Sequence, residues 1–403
     1  MGIRIAQKWF SDCLPIHFLG CATALGSLLV TTILLQPLYG TPFEQPNESF
    51  STEVGDSTPQ AFLPYAENQA AESDSAACLT CVPTKNCERR GYFFADALFW
   101  NVREGAAENW AQIITPQNLT WTNISTATVV EAPFDWRTGM RFGAGVQRND
   151  GSELTVSYTN FRTSARSQAA GEVYSAFMGN FYIGNPDGAD YGPHYRQAGI
   201  WWDFDFHTID FEVGRNYAIG TNLELRPFLG LKAAMINQTI NSSWFNPIDT
   251  LTLTPHQPII HIYDFTSAVE NMNLNFWGIG PSLGTTITMP LCSKDRYSLK
   301  LFGTPSGAIM FGRWTFSEQY KNNAPTPVTI TINMDPITGA ATMLRGLMGI
   351  EWEQRFARAT STVRLGYEAQ LWLNQMQFYS YNIGRLNNVT SLQGGFLEWQ
   401  VKF

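Results

Sequence analysis

Charged side chains over much of this chain keep to one parity. Arg345, Glu351, Glu353 and Arg355 hold odd positions, and Leu344, Met348, Ile350, Trp352 and Phe356 hold even ones. Arg364 and Glu368 alternate with Val363, Leu365, Tyr367, Ala369 and Leu371. Arg137 and Arg141 alternate with Trp136, Thr138, Met140 and Phe142, and Glu224, Arg226 and Lys232 with Leu223, Leu225, Leu229 and Leu231. The same rule adds Glu153, Asp203, Asp205, Lys300, Glu398 and Lys402. Side chains alternate across a strand, so both signs of charge share one face and apolar groups the other. Two chemistries are open to such a face when it curls inward. The charges can solvate and bias ions along a watery path, or they can pair into salt bridges that fill it.

Other reactive residues are few. His207 sits among Asp203, Asp205 and Asp210, an acid–base cluster on paper, but these acids lie on differing parities, and a satisfied structural histidine is the plainer reading. His256 and His261 lie in a Pro-rich stretch, where a metal pair is the weaker reading. No Gly-rich phosphate loop, Ser-His-Asp order or zinc spacing is present, so neither an enzyme nor a cofactor is expected. Cys78, Cys81, Cys87 and Cys292 follow the N-terminal forty residues. Zinc would need a fourth nearby ligand and a thioredoxin-type site a βαβ unit, and both are missing. Disulfides, within the chain or to other envelope proteins, are the reading left for an oxidising compartment.

The elements that must position these charges are long strands. Rows such as Trp277, Ile279, Pro281, Leu283, Thr285, Ile287 and Met289, opposed by glycines, serines and threonines, run ten residues or more. Strands of globular proteins average five or six, whereas a tilted membrane strand needs about 9–11. Composition agrees. Of 403 residues 44% are hydrophobic and 14% aromatic, but only 15% are charged, against about 25% in a typical soluble domain. A helical membrane bundle would be more apolar. A net charge of −8 leaves no basic surplus for nucleic acid. The fold class expected is all-β, a transmembrane antiparallel β-barrel of about 10–12 strands over 91–403, its outer face against outer-membrane lipid.

Polar turns at 148–151, 215–221, 291–296 and 357–360 alternate with longer segments near 103–135, 162–195, 239–270, 317–340 and 379–393, expected as outer loops. Ten strands are counted, and the loops could hide another pair. Within 196–214 the apolar row changes parity, from Trp202, Phe204 and Phe206 to Ile209, Phe211 and Val213, which predicts a β-bulge near His207 and Thr208. Trp100, Trp110, Trp136, Trp201, Trp314, Trp352 and Trp372 near strand ends predict interfacial girdles, with ordinary sheet packing as the alternative.

Residues 1–40 read as a signal peptide: Arg4 and Lys8, then an uncharged run peaking at Leu28–Leu35, with Gln36-Pro37 breaking it. An uncleaved anchor is the rival, and Cys21 a weaker lipoprotein alternative. Residues 41–90, rich in Pro, Ser, Glu and Gln, predict a disordered periplasmic arm.

At the other end Leu397, Trp399, Val401 and the terminal Phe403 alternate with Glu398, Gln400 and Lys402. That is the closing-strand pattern which barrel-assembly machinery recognises in bacterial porins generally. With Tyr92–Trp100, Trp202–Arg215, Leu223–Leu231, Trp277–Pro281 and Gly366–Trp372, the chain resembles the Legionella-type major outer membrane protein family over roughly 91–403. These are pore-forming proteins also found in environmental chlamydiae. The resemblance implies an outer-membrane porin for ions and small polar solutes. The alternatives are a structural barrel with a plugged lumen and an adhesin whose loops touch host cells. A homo-oligomer is open.

Overall fold

The computed structural model describes residues 89–403, apart from 120–121, 176–193, 221, 249, 254–257, 262 and 381–383. The expected signal peptide, the arm up to residue 88 and Cys78, Cys81 and Cys87 lie outside the described residues.

Strand β1 (Arg89–Glu104) is followed by a 3-10 turn (Ala107–Asn109) and the hairpin β2 (Ala111–Leu119) and β3 (Thr122–Val130). Then come β4 (Arg137–Arg148), β5 (Ser152–Ser175), β6 (His194–Arg215), the short β7 (Tyr217–Ile219) and β8 (Leu223–Ile248). A small separate hairpin, β9 (Thr250–Leu253) and β10 (Pro258–His261), precedes β11 (Ser267–Lys294) and β12 (Tyr297–Asn322). The chain ends in β13 (Thr329–Arg355), β14 (Thr360–Ser380) and β15 (Gly384–Lys402).

Ten strands form a ring in the order β1-β4-β5-β6-β8-β11-β12-β13-β14-β15, and β15 closes on β1 with Tyr92 opposite Lys402 and Trp100 opposite Gly394. Every pairing is antiparallel. A closed ring leaves no unpaired edge, which is what a β structure requires in hydrocarbon. The ring count matches the ten strands read from the alternation. The short connections β4–β5, β6–β8, β11–β12 and β13–β14, the start of β1 and Phe403 share one end, where the Phe403 amide donates to the Gly91 carbonyl at 3.0 Å. In bacterial barrels generally the short turns lie at the periplasmic end.

The outer wall carries the expected belt. On β8 the outward row Leu225, Pro227, Leu229, Leu231, Ala233 and Met235 gives way to Asn237, Thr239, Asn241 and Ser243. Leu229 is 70% exposed, Phe311 66% and Leu283 64%, far more than a water-soluble wall would leave open. The belt takes up less than half of β8, and the remainder stands above the membrane.

That overhang corrects the loop expectations. Most of 317–340 is strand, with only 323–328 linking β12 to β13, and 384–393 belongs to β15. Above the lipid the outer face no longer needs apolar groups, so the alternation fades while the backbone ladder continues. The predicted bulge at His207 and Thr208 is also absent, because both residues keep unbroken register with β5 and β8. Register shifts fall instead at Ala170/Val173, Pro290/Cys292, Trp314/Phe316 and Trp372/Met376. Cys292 is half-buried beside one of them.

Trp100 stands opposite Gly394 in the β1–β15 register, and Gly394 has a φ of +157°. A Cβ there would overlap the Phe99 carbonyl oxygen and stand 2.9 Å from Trp100 Cα. Gly394→Ala is therefore expected to destabilise the barrel by about 2 kcal/mol, through overpacking and strain at once. The urea midpoint of the folded barrel in detergent measures this, and an unchanged midpoint refutes it.

Candidate functional site: the lumen

Through the belt inward positions follow one parity along each strand, and their chemistry changes with height. At the turn end and through the belt they are ionic. On β8 and β5, Arg226 Nε donates to Glu153 at 2.9 Å, and Arg226 Nη1 lies 3.5 Å from Glu212 of β6. Tyr92 also hydrogen-bonds Glu153. Lys300 lies 3.2 Å from Glu353, 3.4 Å from Glu351 and 4.0 Å from Glu224. Arg364 joins Glu351 at 2.7 Å to Glu398 at 3.0 Å, and its guanidinium lies over the Phe302 ring.

One layer higher, Arg141 ties Asp96 at 3.0 Å to Glu368 at 2.9 Å, and Arg345 holds Glu368 at 2.6 Å. Lys232 pairs with Asp210 at 2.5 Å. These groups are nearly dry: the Asp96 side chain is 0% exposed, Glu368 1% and Arg141 8%. An isolated charge so buried would be prohibitive, and only near-complete pairing makes the layer tenable.

Above the ions the interior turns aromatic. Trp100, Phe161, Phe206 and Trp372 come from β1, β5, β6 and β14, and none is more than 0% exposed. Phe206 meets Trp372 edge to face with ring centroids 5.4 Å apart. Strands β6 and β14 are five places apart in the ten-strand ring by either route, so this pair bridges the full lumen. Arg141 reaches up to the Trp100 ring at 5.7 Å. Still higher, the β1–β4 connection packs into the barrel, Phe134 against Trp202 and Phe204, and Trp110 against Trp244.

The sequence-derived set is thus divided. Arg141, Glu153, Glu224, Arg226, Lys232, Lys300, Arg345, Glu351, Glu353, Arg364, Glu368 and Glu398 stand on the inward parity and enter the pairs above. Arg137 and Arg355 sit exposed at the strand ends, paired with Asp135 and Glu353. Lys402 hydrogen-bonds Gln147. Asp203 and Asp205 are corrected: they point to the outer wall. In their place Asp96, Asp210 and Glu212 point inward, which parity reading missed. The parity change in β6 was real in chemistry but not in backbone. From Ala198 to Gly214 even positions face inward, aromatic above and ionic below, and the outer face does the opposite. The one available signal was that a bulge was unnecessary if the strand crossed from water into lipid.

His207 accordingly belongs to the outer wall. Its Nε2 lies 3.0 Å from Asp205, itself clasped by Arg162 at 2.8 and 3.1 Å. Its Nδ1 faces Tyr158 Oη at 2.7 Å and Asn160 Nδ2 at 3.0 Å. Both ring nitrogens are engaged, and Asp210 is on the other face with Lys232. His256 lies outside the described residues. Of the predicted girdle, Trp136, Trp201 and Trp352 are exposed on the outer wall, whereas Trp100, Trp110, Trp314 and Trp372 are buried inside. Leu397, Trp399 and Phe403 face outward, with Phe403 edge-on to Phe93 at 5.2 Å, and Val401 shares their parity.

Comparison with known proteins gives one family. The model described as Legionella pneumophila major outer membrane protein precursor matches residues 82–403. No curated protein matches. Among solved structures, the chain is similar to the outer membrane protease OmpT from Escherichia coli, at 8% identity over 79% of this chain and 97% of that one, with a TM-score of 0.31. It is also similar to the Pseudomonas putida toluene transporter TodX, at 7% identity over 78% and 90% with a TM-score of 0.26. The outer membrane channel DcaP of Acinetobacter baumannii follows at 9% identity over 78% and 96%, with a TM-score of 0.13.

Proposed function

Because this chain belongs to the Legionella pneumophila major outer membrane protein family, an outer-membrane β-barrel family, we propose that it forms a gated pore for ions and small polar solutes. The observation that carries this reading is the confinement of charge: within the belt both signs line the lumen while the outer wall carries apolar groups. A polar solute passing there meets groups able to replace its water. Inward acids outnumber inward cations once Asp96, Asp210 and Glu212 are included, so the open path favours cations. The aromatic layer above is the gate, shut in the form described.

A second reading, a structural barrel whose outer loops meet host cells, is favoured by that same closure, since Phe206 and Trp372 touch across the lumen. Single-channel recording of folded, purified protein in a salt gradient separates the two. The pore reading expects brief steps from a mostly closed baseline, with a reversal potential on the cation side. Silence at all voltages would leave the structural barrel.

A further inference from the structure

The turn end of the barrel carries a ring of exposed cations. Arg90, Arg148, Arg215, Arg296 and Arg358 lie at the start of β1 and at or beside all four short turns, and Lys294 and Arg355 add to them. Two exposed acids, Asp150 and Asp295, share these turns, and a third, Glu224, stands at the start of β8 4.0 Å from Lys300. Asp150 is turned to the Ser152 amide at 3.0 Å, and Arg355 is committed to Glu353. The five named arginines take part in no ion pair among the described residues. At the other end Arg103 pairs with Glu108, Arg137 with Asp135, and Arg162 with Asp205, while the exposed Arg166, Arg196, Arg313 and Lys321 are spread singly along the outer wall.

These cations are set among exposed apolar tips. Arg215 lies over the Tyr217 ring at 5.6 Å, beside Ile219, and Tyr217 and Ile219 are both about half exposed. Phe356, 62% exposed, stands between Arg355 and Arg358. Aromatic and aliphatic groups beside cations, just beyond a lipid belt, match a headgroup layer better than an aqueous polymer. We infer that the periplasmic rim is a docking surface for the phosphate headgroups of anionic phospholipids in the inner leaflet of the outer membrane. The apolar tips enter the acyl boundary, and the guanidiniums take the phosphates, for which their forked donors suit them. The inference stands apart from the pore reading, since it concerns the outer rim alone.

The test uses the full chain, folded in phosphatidylcholine vesicles doped with brominated phosphatidylglycerol or brominated phosphatidylcholine. Quenching of tryptophan fluorescence reports which lipid is held. The wild type is expected to prefer phosphatidylglycerol by about threefold or more at low salt, and the preference should fall as salt rises. The variant Arg148→Gln, Arg215→Gln, Arg296→Gln, Arg358→Gln, checked for folding by its gel mobility before heating, should show a ratio near one. The variant Arg313→Gln, Lys321→Gln, altered on the outer wall at the other end, should keep the wild-type ratio. Equal quenching by both lipids in the wild type overturns the inference. So does a preference that survives the quadruple change, or rim-dependent retention of peptidoglycan fragments without lipid preference.

Discussion

On the gated-pore reading, a barrel carrying Phe206→Ala together with Trp372→Ala is expected to conduct steadily, and the wild type only in brief openings. The two rings meet across the lumen at 5.4 Å, and they are the widest-spanning contact of the aromatic layer. Truncating a buried aromatic removes about 3–5 kcal/mol of packing. In this chain that loss falls mainly on the closed form, because the ring of backbone hydrogen bonds holds the wall in either state. If about 3 kcal/mol of it separates closed from open, the equilibrium moves by more than a hundredfold. Each single change should fall between wild type and double, and Trp201→Ala, on the outer wall, should leave gating untouched. Single-channel open probability is the readout. A folded but silent double variant would mean that the ion layer below seals the lumen unaided, and the gate would have to be abandoned.

Why the ring was legible, and the lining only partly so, follows from where the two sequence periods come from. Below Met235 the outer wall is in lipid and the lumen is polar, so β8 announces its faces without ambiguity. The same contrast exposed β4, β11, β13 and β15. Above the belt the contrast inverts. The interior must be packed without solvent, hence Trp202, Phe204 and Phe206, while the exterior is wet, hence Asp203, Asp205 and His207. A rule that assigns apolar residues outward everywhere then places Asp203 and Asp205 in the lumen and invents a bulge to restore Ile209. Asp96 was invisible for a related reason. Its neighbours on the inward row of β1, Phe94, Leu98 and Trp100, are apolar, so the strand reads as greasy on both faces. Only the register, which sets Asp96 against Arg141 on one side and Glu398 on the other, shows why a carboxylate belongs there. Cross-strand partners are not written in a strand's own period.

Arg141 is the residue whose loss should damage the fold most among the charged groups. Its guanidinium spends three donors on Asp96, Glu368 and, at 3.1 Å, the Thr159 hydroxyl. Without it Glu368 keeps Arg345 and Gln370, but Asp96 loses its one ion-pair partner among the described residues while remaining fully enclosed. Breaking a buried pair by removing one member costs about 3–5 kcal/mol, since a charge is left uncompensated. Arg141→Ala should therefore lower the urea midpoint of the folded barrel strongly. Arg162→Ala, which breaks an exposed pair with Asp205 on the outer wall, should cost about 1 kcal/mol or less. Arg141→Lys should fall between, because a single ammonium cannot serve both carboxylates in the forked geometry. The decisive comparison adds Asp96→Asn to Arg141→Ala. If the damage comes from an orphaned carboxylate rather than from lost packing, neutralising Asp96 should recover about 1–3 kcal/mol of it, a coupling readable from the double-mutant cycle. Additive midpoints, or an Arg141→Ala barrel no weaker than Arg162→Ala, would mean that water reaches this layer even in the closed form. The dry ionic lumen would then be the wrong description of the resting state.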